Sequence, residues 1–173
     1  MKKRFSKLFI SGILIIVLTF ALIGCDGNSN SGSEDNGNSS TKNPSAETVI
    51  ENLKKVPGII DIEAASESHD PNGKLNKSGG YTAAVYFSHE KVDQSEFDEE
   101  SVIDKGTDCG GQIEVYKNAK NAKERNEELS AFDGTFLDSG YHEVFGTMVI
   151  RVSCNLTASQ QSEIANAIKA AFN

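Results

Sequence analysis

Basic residues are scarce in this chain: 17 Lys and Arg stand against 25 Asp and Glu, and four of the 17 fall within the first seven residues. A surface this acidic lacks the Lys and Arg that nucleic-acid phosphates require, so no nucleic-acid partner is expected. It also disfavours lying flat on anionic lipid. Histidine is sparse too. His69, His89 and His142 stand apart, without the paired HxH or HExxH spacing of a zinc site. Residues 106–111 are rich in glycine, but no Lys-Ser/Thr follows them as in a phosphate-binding loop. No period of 20–50 residues recurs, which excludes a repeat architecture. The longest apolar run, residues 8–23, is 16 residues long, short of the roughly 20 that span a bilayer. No cofactor is implied by any of these patterns.

The run is nevertheless informative in its setting. Lys2, Lys3, Arg4 and Lys7 precede it, and it ends Leu22-Ile23-Gly24-Cys25. A basic start, an apolar middle and a small residue before the cut describe an export signal. The ending resembles the lipobox of bacterial lipoproteins. That resemblance implies Sec export, cleavage after residue 24, and a diacylglycerol on the thiol of Cys25. Two acyl chains hold a protein stably at a membrane, where one is marginal. The expected location is the outer face of the cell membrane of a Gram-positive cell, with the membrane itself as a partner through the anchor.

Without residues 1–24 the chain keeps 13 Lys and Arg against 25 Asp and Glu, a formal charge of −12. Residues 26–47 contain no large apolar side chain. Such a stretch cannot bury enough surface to offset its ordering entropy, so residues 25–47 are expected to act as an anchored, disordered tether. A flexible chain of that length spans about 25–30 Å. Residues 48–173 remain as one domain of ordinary size.

Within that domain, Val49, Ile50, Leu53 and Val56 recur at helical spacing, with Thr48 and Glu51 as a capping box and Pro57-Gly58 as the stop. Ile60, Ile62 and Ala64 alternate with Asp61 and Glu63 as a half-buried strand. Tyr81, Ala83, Val85 and Phe87 form the face of a second strand, and residues 112–117 form a third. Residues 118–132 read as a helix with Ala119, Ala122, Leu129 and Phe132 inward. Residues 141–144 and 147–153 pair across Phe145-Gly146, with Met148, Ile150 and Val152 buried. Thr157 and Gln160 cap a last helix striped by Ile164, Ile168 and Phe172. The expected class is α+β, a single small domain whose antiparallel sheet carries helices packed on one face.

Asp-Pro-Asn at 70–72, Gly-Gly-Tyr-Thr at 79–82, Gly-Gly-Gln-Ile-Glu-Val-Tyr at 110–116, Asn-Ala-Lys-Glu-Arg at 121–125, Thr-Met-Val-Ile-Arg-Val-Ser at 147–153 and Leu-Thr-Ala-Ser-Gln-Gln at 156–161 follow in order. This order resembles a group of small Gram-positive surface lipoproteins that has no assigned activity. The resemblance implies fold and location for residues 48–173 and assigns no functional residue.

Cys109 and Cys154 are the thiols left once Cys25 is modified. Outside the cytoplasm an even pair reads as a disulfide. Cys154 continues the buried parity of residues 148, 150 and 152, and Cys109 sits just before the strand at 112–117. Closing the loop between them would stabilise by roughly 4 kcal/mol on the chain-entropy account. Two unpaired buried cysteines are the alternative. A third reading makes Cys109 a nucleophile with His142 as base, since Asp108-Cys109-Gly110-Gly111 resembles the Asp-Cys-Ser-Gly of cell-wall cysteine peptidases. There the cysteine caps a helix that lowers its pKa, whereas residues 112–116 here are β-patterned and no Ser follows. Asp138, Ser139 and His142 have triad residue types but crowd one short segment, and triads are assembled from distant segments. Glu67, Asp70 and Asn72 before Gly73 are candidate calcium ligands, although Asx-turn chemistry uses the same letters and no later acidic ligand follows before Glu90.

No coherent catalytic set emerges. The reading is a non-catalytic, membrane-tethered binding domain for an unknown surface protein or cell-wall ligand, with Tyr81, Tyr86 and Tyr141 as candidate binding aromatics. A cell-wall cysteine hydrolase using Cys109 and a purely structural envelope lipoprotein are the alternatives. The anchor has a direct test. Cys25→Ala should abolish labelling by radioactive palmitate and leave the protein shed or as uncleaved precursor; undiminished labelling would refute the anchor.

Overall fold

The computed structural model describes residues 43–135, 138 and 140–173, so Cys25 and the export signal lie outside the described residues. All described residues belong to one compact unit, Gly37–Asn173. The elements are α1 (Ala46–Leu53), β1 (Ile59–Ala64), β2 (Ala83–His89), α2 (Val102–Lys105), β3 (Gly110–Val115), α3 (Ala119–Ser130), β4 (Tyr141–Phe145), β5 (Met148–Val152) and α4 (Ala158–Ala171). The five strands form one antiparallel sheet in the order β1-β2-β3-β5-β4. The fold is α+β, a single small domain.

The three inner strands are buried along their whole length. One face carries Val85, Ile113 and Ile150 side by side in the register, under α1 and α4, which contribute Val49, Leu53, Ile164 and Ile168. Each such fully buried aliphatic side chain contributes about 1.5–3 kcal/mol. The other face lies under α2, α3 and the loop 65–82, with Ala84, Tyr86 and Val149 meeting Ile103, Ala122 and Leu129. The sequence expectation placed the helices on one face, whereas the structure divides them between two.

That division follows from the chain path. The β4–β5 hairpin turns through Gly146 and Thr147, with Gly146 at φ 64, a conformation glycine adopts without strain. β5 then enters between β3 and β4. β3 and β4 are therefore parallel, and their connection must cross β5, which α3 does on the second face.

Several local expectations are corrected. The helix-start signal is Ser45, whose hydroxyl accepts from the Thr48 N–H at 3.3 Å, not the Thr48–Glu51 pair. Residues 43–47 belong to the domain and not to the tether, since the Asn43 N–H donates to Thr147 Oγ1 at 2.9 Å and its side chain accepts from Thr82 Oγ1 at 3.0 Å. The β1 register shifts between Ile59 and Asp61, a bulge that turns Ile60 outward (57% exposed) and leaves Ile59 and Ile62 against the core. Tyr81 precedes β2 and packs on the second face, edge-on to Tyr116 with ring centroids 6.2 Å apart. α3 buries Ala122 and Leu129, but Ala119 and Phe132 are exposed. The third inward position of α3 is Arg125. The capping box Thr157–Gln160 of α4 stands as read.

Candidate ligand-binding site

The second face of the sheet carries charge at its centre. Glu114, near the end of the central strand β3, has a fully buried side chain. Arg125 of α3 donates from Nε to Glu114 Oε2 at 3.0 Å and from Nη2 to Oε1 at 3.3 Å. Arg151 of β5 donates from Nη1 to Oε1 at 3.2 Å, and the Tyr116 hydroxyl donates to Oε2 at 2.6 Å. Burial, with Glu114 beside it, pushes the Tyr116 phenol far up, so it stays a donor. A buried carboxylate is tolerated only when its lone pairs are taken in this way.

Beside this cluster the register aligns one row across the sheet: Glu63, Tyr86, Gln112, Arg151 and His142. Glu63 accepts from Ser101 Oγ at 2.7 Å, at the start of α2. Gln112 accepts from Arg151 Nη1 at 2.9 Å, which fixes its amide orientation because guanidinium only donates. Tyr86, Gln112 and Arg151 line a cavity of about 280 Å³. Ile103, Asp104 and Thr107 line it from the α2 side, and Pro71 and Asn72 from the 65–82 loop. Burial, then the nearby Glu114, pushes the Tyr86 phenol up to about 12, so it too remains protonated.

Two buried donors of this row, Gln112 Nε2 and Arg151 Nε, have no acceptor among the described residues. Each such orphan costs roughly 1–3 kcal/mol unless a water or ligand oxygen meets it. Of the wall residues, Asp104 is the charged one apart from Arg151, and its carboxylate pairs with His69 Nε2 at 2.8 Å. That hydrogen bond raises the His69 pKa, so the pair favours the folded loop at low pH and loses its hold as pH rises past the raised pKa.

The residues singled out from the sequence fall in different places. Tyr86 lines this cavity. Tyr81 is buried and donates to Asp70, and Tyr141 lies at a second, open cavity of about 520 Å³ near the end of α3. The three tyrosines therefore do not form one binding face. Asp70 also accepts the backbone N–H groups of Asn72, Lys74 and Leu75, and Glu67 accepts from Asn76 Nδ2 at 2.8 Å. These letters build the loop instead of a calcium site, and no three metal-ligating side chains gather among the described residues.

The expected Cys109–Cys154 disulfide is replaced by two free thiols. Residues 106–109 form a 3-10 turn, and Gly110 has ψ −59, out of the strand range. This turns Cys109 onto the second face, where its Sγ lies 3.3 Å from the Gly106 carbonyl and 3.7 Å from that of Phe87. Cys154 does not continue the buried parity of β5; it is exposed, with Sγ 4.0 Å from Asp108 Oδ1. Gly110 and Gly111 are themselves buried strand residues, and a Cβ on Gly111 would meet the Phe87 ring at 2.4 Å. The third strand therefore begins at Gly110, two residues before the expected 112.

Nor does either thiol show activation. Burial pushes the Cys109 thiol up to about 11, and burial followed by Asp108 raises that of Cys154. His142, at the open cavity with Cys154, has Nδ1 2.9 Å from Asn126 Oδ1 and Nε2 2.9 Å from Asp133 Oδ1, so neither ring nitrogen is left to take a thiol proton. Of the triad types in that segment, Ser139 lies outside the described residues. Comparison with protein-family models, curated proteins and solved structures gave no match.

Sequence reasoning missed Gln112, Glu114, Arg125 and Arg151. The signal was present as polar residues at alternate positions of a strand whose other positions are apolar, opposite an arginine in the neighbouring strand.

The thiol arrangement predicts a two-step alkylation under non-reducing conditions. The native mature protein should take up label at Cys154 alone, and Cys109 should react only after unfolding. Absence of any free thiol in the unfolded, unreduced protein would establish the disulfide instead.

Proposed function

We propose that this protein is a lipid-anchored binding domain on the outer face of the cell membrane, non-catalytic, that takes a small ligand into the cavity floored by Tyr86, Gln112 and Arg151. The observation that carries the reading is the pair of buried donors without acceptors on residues that line a cavity. Native proteins seldom leave such groups unmet, and sites that hold small molecules combine apolar walls with a few placed polar groups. Ile103, Pro71 and the Tyr86 ring supply the walls. The ending Leu22-Ile23-Gly24-Cys25 supports the anchor, and the unactivated thiols favour binding over cysteine hydrolysis.

A cavity-filling substitution tests this. Thr107→Trp places an indole at the wall without removing any member of the charge cluster. Saturation-transfer NMR of the wild-type protein against a pool of soluble wall fragments and nutrients should show bound compounds, and the variant should lose them while its melting temperature changes by no more than a few degrees. Identical signals from both proteins, or none from the wild type, would sink the reading.

A further inference from the structure

We infer that the cavity ligand carries a single carboxylate, taken by Arg151 and Gln112. The inference rests on the cavity being a binding site and adds the chemistry of what it binds. Arg151 is 8% exposed and Gln112 fully buried. Arg151 uses Nη1 for Gln112 Oε1 and Glu114 Oε1, while its Nε has no partner among the described residues. Nε belongs to the side edge of the guanidinium, where two parallel N–H groups match the two oxygens of a carboxylate. Gln112 Nε2, next to it in the same sheet row, supplies a further donor to the same group.

Charge points the same way. The buried cluster holds two guanidinium groups, Arg125 and Arg151, against one carboxylate, Glu114. Glu128 touches Arg125 at 3.3 Å, but its side chain is 57% exposed and therefore screened by solvent. One positive charge is left over on the side of Arg151. A monoanion matches it, with the Asp104 carboxylate on the wall held by His69, while a phosphate, at close to two negative charges, exceeds it. The neutral phenol of Tyr86 and the apolar Ile103 leave room for a compact organic body, and about 280 Å³ limits it to the size of a small acid.

The chain has three arginines, Arg4, Arg125 and Arg151, and Arg4 leaves with the export signal, so ¹⁵N-arginine labelling of the mature lipoprotein in detergent micelles gives two Nε–H signals. Arg125 Nε already donates to Glu114 and serves as an internal reference. Sodium acetate, sodium propionate and inorganic phosphate are titrated at constant ionic strength against chloride. The Arg151 signal should shift saturably with the two carboxylates, at concentrations about tenfold below any phosphate effect, while Arg125 stays fixed. Arg151→Lys, which keeps the charge but loses the fork, should weaken acetate binding about tenfold as read from the Gln112 side-chain amide. A stationary Arg151 signal, or equal shifts with phosphate and chloride, would overturn the carboxylate. Binding of a neutral compound that moves the Gln112 amide and not Arg151 overturns it too, yet leaves the cavity reading standing; no binding of any kind removes both.

Discussion

The structure depends on one buried carboxylate. Glu114 sits on the central strand, and its two oxygens gather the Arg125, Arg151 and Tyr116 donors at 2.6–3.3 Å. Arg125 ties α3 to the sheet at the point where the chain crosses β5. Arg151 ties β5 to β3 by side chain as well as by ladder. Removing either partner leaves charge stranded in a dry interior, where each unpaired group is far costlier than a lost surface contact. The same carboxylate holds Arg151 through Nη1, and Arg151 Nε is left without an acceptor among the described residues. Stability and the proposed site are thus set by one group.

The sheet register then does the positioning. Tyr86, Gln112 and Arg151 are neighbours because antiparallel pairing aligns them, not because a loop happens to bring them together. A site on a rigid, doubly covered sheet holds its donors to a fixed geometry, which a loop of the same composition does not. The loop 65–82, organised by Asp70 and Tyr81, supplies the remaining wall, and the His69–Asp104 pair links that loop to α2.

Much of the fold was legible in the sequence. Strands over 60–64, 83–87, 112–115, 141–144 and 148–152, the α3 and α4 helices and the Thr157–Gln160 cap follow from period and turn chemistry alone. What was not legible has particular causes. Alternation in residues 110–116 reads as one wet face, because a buried Glu and a solvated Glu are the same letter; only Arg125 and Arg151, from distant segments, make the difference. Cys109 changes face through the backbone of Gly110, a turn that strand parity cannot register. Ile60 is exposed because of a bulge, and the tether ends earlier because Asn43 finds partners in Thr82 and Thr147. Tyr81, Tyr86 and Tyr141 were separated by the pairing of strands that no local pattern announces.

The most direct measurement is a double-mutant cycle between Glu114→Gln and Arg125→Gln by urea unfolding. The account predicts that each single substitution costs about 3–5 kcal/mol and that the double costs little more than either, since each breaks the same buried pair. Single losses below about 1 kcal/mol that simply add would show the pair to be peripheral, as for an exposed ion pair, and would contradict the central place given to Glu114.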